Sequence, residues 1–145
     1  INKKIKIKKN MTNKEVVTAW FAAIDRRDYI ALEKLMSPNH KFRSPMNPSP
    51  VGAKEHIAMI QMMTAGLDGS HTFNASFGDN DHWAVSGKWI GAHVGEFNGV
   101  AGTGNRVEFS FVDIFYIVEG KVVNEHLEMN PMSMMQQITA VPTNS

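Results

Sequence analysis

Among the side chains in the final third of the chain whose types move protons, three stand out: Asp113, within VEFSFVDIFYIV, and His126 and Glu128, within GKVVNEHLEMN. On an extended strand Asp113 shares a side with Phe109, Phe111 and Phe115. A carboxyl group among such neighbours loses hydration, which pushes its pKa upward and makes it a neutral acid able to donate to a carbonyl or enolate oxygen. The competing reading is a buried Asp satisfied by a backbone N–H or by a polar side chain from a helix. Histidine titrates near neutral pH and a desolvated glutamate is raised toward it, so His126 or Glu128 could act as the complementary base. In GKVVNEHLEMN the alternation sets Val122, Asn124, His126 and Glu128 against Val123, Glu125, Leu127 and Met129. Which set looks inward decides what the strand can contribute; a solvated Glu128 at a frayed strand end is the plainer alternative.

Other candidates carry less. His93 lies between Gly91 and Gly95, where a bent strand would re-aim it as a pocket donor or use it to hold the bend. His93, His126 and Glu128 match the composition of a two-His, one-carboxylate metal set, but no supporting spacing accompanies them and no metal is assigned. GTGNR at 102–106 joins two strands and opens no helix, so it reads as turn chemistry and not as a phosphate cradle. His56 is expected at a surface or rim, and His40, His71 and His82, in loops or at strand ends, receive no role. The chain has no cysteine, which removes thiolate chemistry and fits a reducing, cytoplasmic setting. None of these readings requires a flavin, a nicotinamide or another cofactor.

The 145 residues suffice for one domain with a sizeable core, and 43% hydrophobic with 20% charged residues predicts a folded chain. The net charge of +1 hides an asymmetry. Residues 1–10, INKKIKIKKN, hold five lysines and no acid, which leaves ten Lys and Arg against fourteen Asp and Glu, a net of −4, for the rest. A body without a basic stripe is not expected to bind nucleic acid, and no apolar run approaches a membrane span. The lysine-rich segment is read either as a solvated extension or as an upstream segment ahead of a start at Met11, with the domain proper at 11–145.

The elements that would position these groups follow from patterning. A capping box, Thr12 to Glu15, precedes Val16, Ala19, Trp20, Ala23 and Ile24 at helical spacing. Asp28 caps a short second helix, HKFRS is a short strand, and a Met-rich third helix runs from about 53 to 65. Alternating strands are predicted near 70–77, 82–95, 105–118 and 121–129. Three helices followed by a strand meander predict an α+β fold, the helices covering one face of a curved, mostly antiparallel sheet. Bulky residues on both parities, such as Val112, Ile114 and Val118 opposite the Phe side, predict a homodimer through the second sheet face.

At this point the text resembles a family. WIGAHVGEFNGVAGTGNRVEFSFVDIFYIVEGKVVNEHLEMN is similar to the second half of the SnoaL-like polyketide (ester) cyclases of the NTF2-like superfamily, through Gly91, His93, Gly95, Phe97, Gly99, Thr103, Gly104, Asp113, Ile114, Phe115, Gly120 and Lys121. The resemblance implies a cone of sheet around three helices, with a pocket at its wide end for a small apolar molecule. Those cyclases carry a proton-transferring Asp in an E-x-W-x-x-x-D pattern. Asn124, His126 and Asn130 occupy the matching positions, and an asparagine cannot exchange protons near neutral pH. VDIFYIVEGKVV also looks like the ketosteroid-isomerase stretch that places a protonated Asp in an oxyanion hole. The family pattern puts Asn124, His126 and Glu128 on the pocket side. Asp113, His126 and Glu128 are therefore the expected catalytic groups, with Trp20, Trp89, His93, Phe111, Phe115, Asn124 and Asn130 around the ligand. The expected activity is acid–base aldol cyclisation or isomerisation of a carbonyl compound; the alternatives are a ligand-binding module without turnover and a bare dimerisation module.

Overall fold

The structure is a computed structural model that describes residues 11–141; the lysine-rich segment expected at 1–10 lies outside the described residues. Thr12 accepts the Glu15 N–H at 3.2 Å and donates to the Glu15 carboxylate at 3.1 Å, starting helix α1 (Asn13–Asp25) where the capping pattern predicts. Asp28 accepts the Ala31 N–H at 3.0 Å and caps α2 (Tyr29–Lys34). Strand β1 (Met36–Arg43) is longer than the predicted HKFRS, and α3 (Ala53–Gly66) follows Gly52. Then come β2 (Leu67–Gly78), β3 (His82–His93), β4 (Arg106–Val118) and β5 (Lys121–Met129). A fourth helix that the sequence patterning did not predict, α4 (Pro131–Ile138), closes the order. Its signals are present: Asn130 accepts the Ser133 N–H at 3.1 Å, and Pro131 stands at the first helical position, where a missing N–H does no harm.

The fold is α+β, with one five-stranded sheet in the order β1-β5-β4-β3-β2. Only the β1–β5 pair is parallel. The β4–β5 hairpin decides the site. Glu119 and Gly120 have φ of 50° and 75°, the signs a two-residue primed turn requires, and they set Val118 opposite Lys121 and Ile117 opposite Val122. Continued, that register would bring His126 opposite Asp113. Instead Tyr116 pairs with Asn124, leaving Val123 as the extra residue of a bulge. Beyond it Asp113 faces Leu127, Phe115 faces Glu125 and Phe111 faces Met129. Residues directly opposite share a face, so Glu125, Leu127 and Met129 join Asp113 on the inside, while Asn124, His126 and Glu128 turn outward.

Two apolar clusters occupy the inner face. The larger joins Val16, Trp20, Phe21, Ile24 and Leu32 of the first two helices to Phe111, Phe115 and Ile117 of β4. The smaller joins Leu67, Trp89 and Val107 of the sheet to Met134 and Ile138 of α4. The Trp89 indole lies over Gly69 and Gly91, paired across β2 and β3; a Cβ at either would come within 2.6 Å of that ring. The side-chain amide of Gln137 ties α4 to the β4 backbone, accepting the Glu108 N–H and donating to the Glu108 carbonyl, both at 2.8 Å.

Inserting one alanine after Val123 should move the rest of β5 to the opposite parity, sending His126 and Glu128 inward and Leu127 and Met129 outward, whereas deleting Val123 only straightens the strand and keeps Asp113 opposite Leu127. A loss of roughly 3 kcal/mol or more in urea unfolding is expected for the insertion. An insertion variant as stable as the parent would show that the register beyond the bulge does not set the face.

Candidate active site

Between the two clusters lies a cavity of about 360 Å³, within the size range of small-molecule sites. Phe21, Ile24, Ile60 and Phe111 come from the larger cluster, Trp89 and Met134 from the smaller. Seven of the ten methionines line it: Met46, Met59, Met62, Met63, Met129, Met134 and Met135. Flexible thioethers can mould to an irregular apolar guest. The polar breaks in this wall are His56, His71, Asn98, Asp113 and Glu125.

Asp113 and Glu125, diagonal neighbours on the inner face of β4 and β5, are 1% and 4% exposed. Each carboxyl acts on the other's proton, Glu125 raising Asp113 and Asp113 lowering Glu125. Among the described residues no N–H or O–H group donates to Asp113 Oδ1 or Glu125 Oε2. Burial, and then the charge of Glu125, hold the Asp113 carboxyl well above the usual carboxylate range, against a weaker pull from the Ile114 N–H. Burial likewise pushes Glu125 up to about 7, while the neighbouring Asp113 works the other way. Two adjacent carboxylates out of water would repel, so the pair retains a proton and titrates as a unit. Asp113 is the neutral acid and Glu125 its acceptor.

Behind Glu125 stand two buried imidazoles. His56 of α3 places Nε2 at 3.6 Å from Glu125 Oε2, an ion-pair distance longer than a hydrogen bond. Its Nδ1 lies 2.9 Å from His40 Nε2, and His40 Nδ1 lies 3.0 Å from the Val122 carbonyl. Burial holds both imidazoles below their ordinary pKa, His56 furthest, so both are neutral. His40, His56 and Glu125 place one ligand atom each within 4.8 Å of one another. However, the two imidazoles lie 4° from parallel with their nitrogens aimed at each other, so this is a hydrogen-bonded chain and not three lone pairs converging on one ion.

A second polar unit enters from the other side. Asp25, at the end of α1, accepts from His71 Nδ1–H at 2.6 Å and from the His71 backbone N–H at 3.1 Å. That fixes the ring and leaves the Nε2 lone pair as its free acceptor, in a side chain that lines the cavity. The His71 ring also packs on Phe21 and Phe111 at 4.8 and 5.5 Å between centroids.

Of the residues expected around a ligand, Asp113, Trp89 and Phe111 line the cavity. His126 and Glu128 do not: they pair with each other at 2.7 Å on the exposed outer face, with Asn124 beside them, because the bulge reverses the strand's parity. Asn130 caps α4 from an exposed position. Trp20 and Phe115 are wholly buried in the larger cluster beneath the cavity. His93 is sealed away as a structural anchor: its Nδ1 receives the Thr103 N–H at 3.2 Å, and the Thr103 hydroxyl donates to the Ile138 carbonyl, fixing the 94–105 loop to α4. The groups that sequence reasoning passed over are Glu125, His40, His56, and His71 with Asp25. His56 had a legible signal, its i, i+4, i+7 spacing with Ile60 and Met63 on the inner helix face. His71 and Asp25 are 46 residues apart, and nothing local links them.

The family model for SnoaL-like polyketide cyclases matches residues 14–138. No curated protein matches the chain in sequence. Among solved structures it is similar to a candidate SnoaL-like polyketide cyclase from Jannaschia sp. CCS1 (22% identity, 92% of this chain and 95% of that one, TM-score 0.82). It is also similar to AclR, a candidate hydroxylase from Streptomyces galilaeus (24% identity, 91% and 83%, TM-score 0.78). A third is an NTF2-like protein from Burkholderia thailandensis E264 (18% identity, 90% and 99%, TM-score 0.72). At these identities the structures establish the NTF2-like fold and not a shared reaction.

Both pocket carboxyls have raised pKa values in the folded state, so folding holds protons that the unfolded chain has released. Their contribution to stability is complete below the ordinary carboxylate range and is lost as pH rises, for Glu125 through about 7. The parent should therefore weaken in urea between pH 5 and pH 8. Asp113→Asn keeps a donor toward Glu125 without a titrating proton, so its stability relative to the parent should improve by about 2 kcal/mol over that interval. Parallel profiles for the two proteins would count against the shared proton.

Proposed function

The chain belongs to the SnoaL-like polyketide cyclase family, and from that footing we propose that it catalyses proton transfer on a small apolar carbonyl compound without a cofactor, as an aldol closure or an isomerisation. The observation that carries this reading is the pairing of unlike groups in one apolar cavity: a neutral, buried Asp113 and an imidazole, His71, oriented by Asp25. His71 Nε2 removes the proton from the carbon next to the carbonyl. The C–H electron pair moves into an enol as Asp113 transfers its proton to the carbonyl oxygen, leaving its carboxylate beside a Glu125 that holds a proton of its own, so the pair still keeps one. The enol carbon then attacks a second carbonyl, whose oxygen takes the proton from the His71 imidazolium, or the enol takes that proton at another carbon; in either case the enol O–H returns its proton to Asp113. Asp25 stabilises the transient imidazolium. The role expected of His126 or Glu128 passes to His71.

Ligand binding without turnover is the second reading. What favours it is Asn130, which stands where the family carries its proton-transferring Asp and serves here to cap a helix.

The reading includes a homodimer through the outer sheet face. Its support is a row of Val112, Ile114 and Val118 on β4, each 42–47% exposed. Light scattering on the purified protein is expected to give a dimer that Ile114→Lys converts to a monomer. A monomeric parent at about 100 µM would remove this part of the proposal.

For the reaction, apolar cyclic and polycyclic ketones are screened by thermal shift, and the stabilising compounds are then followed by NMR in deuterated buffer for exchange at the carbon next to the carbonyl. Exchange is expected to fall by about 10²-fold or more in Asp113→Asn and in His71→Gln, with binding retained. Binding without exchange in the parent selects the second reading, and a pocket that no compound stabilises contradicts both.

A further inference from the structure

The chain behind Glu125 can be assigned proton by proton. The Val122 carbonyl can only accept, so the His40 nitrogen 3.0 Å from it, Nδ1, carries a hydrogen. A neutral His40 then has its lone pair on Nε2, and the His56 Nδ1 at 2.9 Å must be the donor to it. A neutral His56 is thereby left with its lone pair on Nε2, facing Glu125 Oε2 at 3.6 Å. Two lone pairs facing each other in a dry interior are unfavourable, so one proton belongs between them, on the glutamate oxygen or on the imidazole. All members are nearly sealed: Asp113 and His40 are 1% exposed, His56 2% and Glu125 4%.

We propose that His56, held in one tautomer by His40, exchanges a single proton with Glu125 and so serves as a buried store from which the pocket acids are reset without water. This rests on the reading of Asp113 and Glu125 as the acid pair of the site. In the transfer the Glu125 O–H bond breaks and a His56 Nε2–H bond forms, giving carboxylate and imidazolium with no change in total charge. The carboxylate is then the stronger acceptor for the Asp113 hydrogen, and once Asp113 has given up its proton the His56 Nε2–H proton returns to Glu125, so that the carboxyl pair is not left without one. The Val122 carbonyl ends the chain, which makes it a store and not a conduit to solvent. The titratable groups facing Glu125 are Asp113 from β4 and His56 from α3; His40 from β1 faces His56, and the His71–Asp25 unit faces the same cavity from β2 and α1. His40 is a positioning residue, and His56 acts only through Glu125.

The test uses the ligand-free protein, so its outcome does not depend on the exchange assay above. Long-range ¹H–¹⁵N spectra of the parent at neutral pH should show the Nδ1–H tautomer for both His40 and His56; an Nε2–H tautomer at either overturns the assignment. In His40→Leu, His56 is free to move its hydrogen to Nε2 and donate to the Glu125 carboxylate. The Glu125 titration, followed by ¹³C-carboxyl NMR, should then fall by about one pH unit or more. His40→Gln offers a donor to Val122 and an acceptor to His56, and should restore the parent midpoint. A purely structural His40 would lower the melting temperature of both variants and leave the midpoint unmoved, and that result ends the proposal. Should His40→Leu fail to fold, the parent tautomers and the His40→Gln midpoint still decide.

Discussion

Asp113 and Glu125 lie side by side where water does not reach, and two negative charges in that position would each be stripped of hydration and set against the other. The pair must keep a proton, and much of the surrounding structure can be understood as the means of holding it. β4 and β5 present both side chains to one face, α3 and β1 bring two neutral imidazoles behind them, and the methionine-rich wall withholds competing hydrogen bonds. A carboxyl kept neutral in this way is an acid at the pH where an ordinary aspartate is not.

A bulge of one residue governs that arrangement. Strand side chains alternate with a period of two, so one extra residue exchanges the entire inner and outer sets of everything after it. Val123 is that residue. On its far side the exposed His126 and Glu128 and the inward-facing Glu125 and Leu127 have traded the places that an unbroken hairpin would assign them. The Asp25–His71 unit reaches the cavity by another route, from the end of α1 across to β2. Acid and imidazole therefore stand on separately anchored elements.

Most of the fold was legible in the sequence. Caps at Thr12 and Asp28, the helical spacing of Val16, Trp20 and Ile24, and the alternation across 105–118 each depend on neighbours within a few residues, and the elements form where those signals stand. The unread α4 had its own local marks in Asn130 and Pro131. The site was legible only in part. Asp113 could be placed because its phenylalanine neighbours share its strand face, and Trp89 and Phe111 because they share the same wall. Glu125 was hidden by the bulge, His71 by its distance from Asp25 in the chain, and His40 by a meeting of β1 with α3 that no local pattern encodes.

By itself, then, the sequence determined the helices, the strands, the α+β class and the desolvation of one carboxyl, since propensity, capping and strand periodicity act over short stretches of chain. The tertiary structure alone decided which acid stands next to that carboxyl, which histidine enters the cavity, and which tautomers the buried imidazoles adopt. Those outcomes rest on strand register and on contacts between distant segments. A shift of one residue in pairing leaves the local pattern unchanged and reverses which side chains meet.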